Sequence, residues 1–366
     1  MEYNVEEILE RMLAASDYLI PDNLKKLHCD ERITSRGKNT GEAIHYTGQY
    51  CYGFRLKNEK NVTQYCLRLW KSDINKNDRE SAVAISKVIK RLKDSHKLDC
   101  FVNFDYIGGA LRLDEEDIPG LLMEWGGETL SEVIYPKGND LKRPTSKQYR
   151  LLADNFYNIC RKMKEVGVVH GDLSALNILI DQDWKIKLID YDSLYIPSMD
   201  VVGSQFNLGT GGFQHPGRLQ ATKNTMADDN FSQLIVYISL LAYSHGIEFI
   251  DKEGNTGGKR ETLLFSEAEL KTKSTFVDAP AYKAIKATGD AELLFYLDAL
   301  EKAFDVPYDH VPFLCDLHYE PKEKPMPQVT ETKDIVMAGF CGRCGHHFLN
   351  QTDLFCPDCG KKRETL

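Results

Sequence analysis

No run in this sequence is long and apolar enough to cross a bilayer. The most apolar stretch, LIVYISLLAY (234–243), is about half of the ~20 residues a spanning helix needs, and it reads as a buried core helix. Positive charge is also short. With 55 acidic against 46 basic residues the chain carries a formal charge of -9, which argues against non-specific nucleic-acid binding as its main business. The opening MEYNVEEILERMLAASDYLI has acids where a signal peptide needs Lys or Arg, so secretion is not expected. Six of the ten cysteines stand singly, at 29, 51, 66, 100, 160 and 315, mostly inside apolar segments such as FYNIC and QYCLRLW. That pattern excludes a disulfide framework and points to a reducing cytoplasm, where lone thiols pack as small hydrophobes. No internal repeat is present. The 366 residues leave room for roughly two to three domains with a sizeable core.

What is there falls into two textures. An amphipathic helix opens the chain, with Val5, Ile8, Leu9, Met12 and Leu13 at helical spacing. After the polar stretch RGKNTGEAIH come the strand-like runs GQYCYGFRL and TQYCLRLW, joined by KNEKN as a hairpin. A charged helix, NDRESAVAISKVIKRLKD, and further strands at CFVNFDYI and GLLMEW come next. From about residue 146 the segments read as helices: SKQYRLLADNFYNICRKMKEVG, DDNFSQLIVYISLLAYSHG, DAPAYKAIKA and AELLFYLDALEKAF. The expected division is an N-terminal helical extension (1–35), a strand-rich small lobe (36–125), a helical large lobe (126–317), a linker rich in Pro and charge (318–338) and a small C-terminal module (339–362).

The chemistry concentrates in VVHGDLSALNILIDQDWKIKLIDYD (168–192). Asp172 and Asn177 are five apart, and Asp190 lies thirteen beyond Asn177. Between them, two short apolar strands around a polar turn form a hairpin that fixes the spacing. Phosphoryl transfer uses such a set: one carboxylate orients and deprotonates an attacking hydroxyl, while an amide oxygen and a second carboxylate hold Mg²⁺ on a polyphosphate. Solvated acids on a chance hairpin are the plain alternative.

This segment resembles the catalytic loop of protein-kinase-like enzymes, with IDYD where a kinase shows Asp-Phe-Gly. The resemblance spreads over residues ~40 to 305 and implies an α+β, two-lobed kinase-like fold that uses ATP and Mg²⁺. It implies Asp172 as the catalytic base and Asn177 and Asp190 as Mg²⁺ ligands. In LLMEWGGETL, Met123 looks like the back of the adenine pocket, with the backbone of Glu124 and Trp125 facing the base. YCLRLWK resembles the strand that supplies the phosphate-gripping cation. Alternation there puts Cys66, Arg68 and Trp70 on one face, and Arg68 lands on the usual Lys position with Glu80 as its candidate partner. GTGGFQHP (209–216) stands where the activation segment closes, and Asp229 of DDNFS where a carboxylate holds the catalytic loop's backbone. His170 reads as a satisfied core histidine.

Several positions depart from ordinary kinases. HYTGQYCYGF keeps Gly48 of the Gly-rich loop, but Tyr46 and Cys51 replace the other two glycines. A guanidinium at 68 is longer and planar where an ammonium is usual. Gly171 replaces the Arg beside the base, which leaves no cation there for a phosphorylated activation loop. His215-Pro216-Gly217 lacks the Glu anchor of Ala-Pro-Glu. The His-Gly-Asp form is similar to RIO-type kinases and aminoglycoside-type phosphotransferases, and closer still to a bacterial kinase-like group sharing MEW, HGDL, DYD, FQHP and DNFS. The likeness implies a cytoplasmic Ser/Thr-type protein kinase acting on a protein substrate or with signalling partners. The alternatives are a nucleotide-binding pseudokinase scaffold and a small-molecule phosphotransferase.

At the C-terminus, Cys341 and Cys344, then eleven residues, then Cys356 and Cys359 form two Cys-x2-Cys-Gly turns. Such turns aim four thiolates at one ion, a closed tetrahedral site expected to hold structural Zn²⁺. The pattern resembles a zinc ribbon, with a rubredoxin-like iron site as the alternative. Its expected partner is a protein, a nucleic acid or the kinase-like lobes in cis, and His346 and His347 beside it read as solvated surface.

Overall fold

The computed structural model describes residues 2–320 except 34–37, 49, 97, 115, 137–142, 198–207 and 249–261; beyond 320 it describes Phe355, 358–360 and Lys362. Two compact units result, Met1–Tyr319 and Glu320–Leu366. Among the described residues, every helix and strand lies in the first unit.

Helix α1 (Val5–Leu13) starts where the Asn4 side chain caps the N–H of Glu6 at 3.0 Å, with Glu6 and Glu7 favourably placed at the positive end of the helix dipole. A single turn, α2 (Ala15–Tyr18), comes next, and then a two-stranded ribbon, β1 (Glu31–Ile33) with β2 (Asn39–Ala43). The sequence read β2 only as polar chain: its side chains lack apolar alternation, and the strand exists through its pairing. Next come β3 (His45–Thr47), β4 (Cys51–Lys57), β5 (Thr63–Trp70), α3 (Lys76–His96), β6 (Phe104–Arg112) and β7 (Asp117–Glu124). The strands form an antiparallel sheet in the order β3-β4-β5-β7-β6.

The two faces of this sheet have different jobs. Ile8, Leu9 and Met12 of α1 pack against Phe54, Leu56, Leu67 and Leu69, so the N-terminal helix covers the back. On the front, Met123 and Phe104 join Ile85 and Ile89 of α3 and run into the core of the helical half. Cross-strand register puts Gly53 opposite Arg68, and Arg55 opposite Cys66. Directly paired residues share a face, so Arg55 and Arg68 both point to the front, as alternation from Leu67 and Leu69 requires.

Then come β8 (Glu128–Thr129), α4 (Leu130–Ile134), α5 (Ser146–Val166), β9 (Ile178–Ile180) and β10 (Ile186–Leu188), the strands making a small sheet β10-β9-β8. Helix α5 opens on a capping box between Thr145 and Gln148 and closes on Gly167 at φ 75. Helix α6 (Asn230–Ser244) is buried from Asn230 through Tyr243, which makes it the axis of the helical half. α9 (Ala291–Ala303) packs on it, and α7 (Lys273–Asp278) and α8 (Pro280–Thr288) pack against α9 within the same core. No helix among the described residues is long and apolar enough to span a membrane.

Candidate functional site

The loop after α5 is built from the backbone outward. Val169 and Tyr195 exchange two backbone hydrogen bonds of 2.9 Å each, which clamps both ends of the segment together. His170 is fully buried; its Nδ1 accepts the Asp172 N–H at 3.3 Å and its Nε2 donates to the Ile189 carbonyl at 2.9 Å. It is a satisfied core histidine. Asp229, at the head of α6, accepts the N–H groups of His170 (2.6 Å) and Gly171 (2.8 Å). Burial pushes the Asp229 carboxyl above its usual range, and those two donors pull against it.

The hairpin beyond forms because Asp181 directs its turn: its carboxylate accepts the N–H groups of Asp183 (2.9 Å) and Lys185 (2.8 Å). β9 and β10 then pair Ile180 with Ile186 and Ile178 with Leu188, which carries Asp190 back beside Asn177. The Ile189 N–H donates to the Asn177 carbonyl at 3.1 Å. The buried Asn177 side chain donates from Nδ2 to the Asp172 carbonyl (2.9 Å) and carboxylate (3.1 Å). With the amide nitrogen taken, Oδ1 is the atom left to face a cation. Asp172 also accepts the Thr210 N–H on its other carboxylate oxygen, at 2.6 Å.

Asp190 sits at φ 71, a left-handed conformation that Asp tolerates better than most residues. Tyr191 is buried on Phe104 (5.8 Å, stacked) and Phe101 (5.6 Å, edge-on). Its hydroxyl accepts the Val102 N–H at 2.7 Å and shares its proton between the carbonyls of Val102 and Leu188. The segment is thereby fixed in place. Although the Asp192 side chain is exposed to solvent, the protein packed around it and the neighbouring Asp190 raise its carboxyl, with Arg68 opposing.

From the sheet, Arg68 reaches this acidic centre. Burial works against its charge, but Asp190, the Cys51 sulfur and Asp192 outweigh that and hold it protonated. Cys51 Sγ is 3.5 Å from its guanidinium. Three expectations from the sequence change here. Glu80 is not the partner of Arg68: it lies one turn into α3, 59% exposed, facing Lys76 at 3.6 Å. Gly48 offers no amide to a phosphate, because its N–H closes a tight turn onto the Cys51 carbonyl at 2.9 Å. At the hinge, Met123 is buried as expected, but the N–H of Glu124 donates to Asn103 (3.1 Å) and that of Trp125 to Gln64 (3.0 Å). The Glu124 carboxylate, lowered by Asn103 and Lys93 although burial opposes it, is turned to Lys93 at 3.1 Å.

Two groups were not anticipated. Arg55 lies against the rings of Trp125 (4.7 Å) and Tyr46 (5.1 Å) and pairs with Glu128, tying the front of the sheet to β8. Alternation places it, but nothing local names its partner. Arg218, buried in the turn after His215-Pro216, is the second.

A family model described as the RIO domain matches residues 121–195, from β7 through Asp190 and Tyr191. The fold itself is α+β, an antiparallel five-stranded sheet followed by a helical half. Mitogen-activated protein kinase kinase 10 of Arabidopsis thaliana is 20% identical over 196 residues, 53% of this chain and 54% of its own, so the chain spans about half the length of that curated relative. The solved structure of the Cydia pomonella granulovirus kinase PK-1 aligns at 13% identity over 60% of this chain and 72% of its own, with a TM-score of 0.40.

Of the C-terminal cysteines, Cys341, Cys344 and Cys356 lie outside the described residues, and Cys359 is half-buried. Among the described residues no group of three or more His, Cys, Asp or Glu could hold a metal.

Proposed function

We propose that this protein is an atypical phosphotransferase that moves the γ-phosphoryl group of ATP to a Ser/Thr-type hydroxyl on a protein, with Mg²⁺. The observation that carries this reading is the joining of Asn177 to the Asp172 carboxylate at 3.1 Å, with Asp190 returned beside them by the hairpin and Arg68 on the front face of the sheet. An ionised carboxylate has about four acceptor positions, and Thr210 and Asn177 use two of those on Asp172. The remainder can take the proton of the acceptor hydroxyl as its oxygen bonds to phosphorus and ADP departs.

Asn177 Oδ1 and the Asp190 carboxylate are hard oxygen donors that fit Mg²⁺, which takes one or two protein ligands alongside water and phosphate oxygens. Bound there, Mg²⁺ would offset charge on the phosphates. Arg68 offers a planar fork to a phosphate oxygen, and Asp172 orients the acceptor. The test is Mg-ATP-dependent autophosphorylation, with Asp172→Ala and Asp190→Asn as controls. Incorporation in the parent that is lost in both variants is expected. Incorporation that persists in both, or none in the parent, removes the reading.

A binding module without turnover is the second reading. Arg68 where Lys is usual, with Tyr46 and Cys51 in place of two glycines, favours it. A nucleotide-induced rise in Tm with no transfer to any acceptor would select it.

We further infer that Cys341, Cys344, Cys356 and Cys359 hold one structural Zn²⁺, supported by their spacing and by the all-thiolate donor set.

A further inference from the structure

Arg218 is 1% exposed, and its guanidinium is divided between two elements of the fold. One nitrogen pairs with Asp228 at 3.0 Å. The other donates to the Gly171 carbonyl at 3.0 Å and to the Gln214 carboxamide. Asp228 is held in turn by the Thr225 hydroxyl at 2.7 Å. The next residue, Asp229, takes the Gly171 N–H at 2.8 Å. Consecutive acids at the head of α6 therefore fix both sides of residue 171, one directly and one through Arg218.

That matters because the Gly171 carbonyl belongs to the peptide that leads into Asp172. Its orientation sets where the Asp172 side chain starts. The stretch carrying Arg218 also reaches the carboxylate itself, through the Thr210 N–H at 2.6 Å. Gly209, at φ 76, permits this approach: a Cβ there would lie 2.4 Å from the Gln214 amide and 3.1 Å from Asp172 Oδ1. Residues 209–218 thus hold Asp172 by its carboxylate and by its backbone. A buried ion pair adds little stability over apolar side chains of the same size. A hydrogen bond to the Gly171 carbonyl is something that apolar side chains could not supply.

We propose that Arg218 is the positioning residue of the loop bearing Asp172, and that its internal counter-ion Asp228 keeps the loop aligned without a phosphate on the activation segment. The proposal rests on the phosphotransfer reading. Residue 171 stands where the resemblance puts an Arg that receives a phosphorylated loop. Here the guanidinium comes from 47 positions further along the chain, and its anion is a carboxylate already present.

The experiment uses the full chain carrying Arg218→Met with Asp228→Leu, which removes both charges and keeps the volume. Arg218→Lys is the second variant, because one ammonium can retain Asp228 but cannot span to the Gly171 carbonyl as well. Amide exchange at 171, 172 and 210 is expected to quicken by about tenfold or more while α6 is unchanged. In the same variants kcat should fall by about tenfold or more with KM for ATP within about twofold. Phosphatase treatment of the parent should leave its rate within about twofold. Unchanged exchange and kcat in Arg218→Lys would reduce Arg218 to packing, and a phosphatase-sensitive rate would overturn the regulatory part. A parent that transfers no phosphate refutes the phosphotransfer reading alone, since the exchange measurement still decides whether Arg218 positions the loop.

Discussion

Two glycines near the site offer a matched pair of substitutions. Gly167, at φ 75, ends α5, and a Cβ there would meet nothing within 4 Å. Gly167→Ala therefore tests only the left-handed backbone, at about 1–2 kcal/mol. Gly171, at φ 82, carries the same conformational cost, but its Cβ would stand 2.3 Å from the Ser193 carbonyl oxygen and 2.8 Å from the Ser193 Cβ. Those atoms cannot retreat easily, because Tyr195, two residues on, is double-bonded to the Val169 backbone by a pair of hydrogen bonds. Relief must come from residue 171, at the expense of its hydrogen bonds to Asp229 (2.8 Å) and Arg218 (3.0 Å). Hydrogen bonds to charged groups contribute about 1.5–3 kcal/mol each, so the total for Gly171→Ala is about 4–8 kcal/mol. Scanning calorimetry of both variants is the assay. Gly167→Ala should lower Tm by a few degrees, at about 2–4 °C per kcal/mol, and Gly171→Ala by about three times as much or more. Equal shifts in the two variants would refute the reasoning, since they share the φ and differ only in what a methyl group meets.

Glu80→Gln should leave both Tm and turnover within error, as an exposed i,i+4 pair contributes about 0.5 kcal/mol or less. Arg68→Met should lower turnover by about a hundredfold; matching losses in the two variants would restore Glu80 as the partner of Arg68. Tyr191→Phe removes a hydroxyl bonded to both polar groups of Val102 and should cost about 1–2 kcal/mol in urea unfolding. A variant as stable as the parent would mean that this hydroxyl does not hold the Asp190–Asp192 segment. Metal analysis of the full chain should find one zinc per chain, lost in Cys341→Ser and Cys356→Ser; iron in its place would identify the rubredoxin-like alternative.

The parts of the site legible in the sequence are those whose geometry is local. The spacing from Asp172 through Asn177 to Asp190 is fixed by one hairpin, and the turn that closes it is directed by Asp181 within the same stretch. Alternation along β5 placed Arg68 on the front face because Leu67 and Leu69 had to go behind. The failures are pairings between distant segments. Glu80 sits at the expected helix start, but at the solvent end of a turn whose own Lys76 is nearer. Nothing in the residues adjoining Arg218 marks it as buried. The adjacent acids at 228 and 229, just before an apolar helix, were the available signal, since only one of two buried carboxylates can be satisfied by the loop's N–H groups and the other requires a cation. The back of the sheet obeyed the same logic, as Leu67 and Leu69 demanded a cover, which the helix at 5–13 supplies together with Leu19, Leu24 and Leu27.

The departures from the kinase pattern are unevenly distributed, and that bears on which reading of the site holds. On the acceptor side Asp172 is fixed from several directions, by Thr210, Asn177 and the peptide gripped by Asp229 and Arg218. On the nucleotide side, Gly48 closes on Cys51, the hinge N–H groups are bonded to Asn103 and Gln64, and Arg55 bridges to Glu128 across the front. A nucleotide bound against these residues gains only what exceeds the loss of those contacts. The acceptor side is thus preorganised, and the nucleotide side has interactions to exchange. Catalysis needs rigidity where the proton moves, whereas a scaffold has no use for it. The unequal reinforcement of the two sides therefore favours a working phosphotransferase with modest nucleotide affinity over a module that only binds.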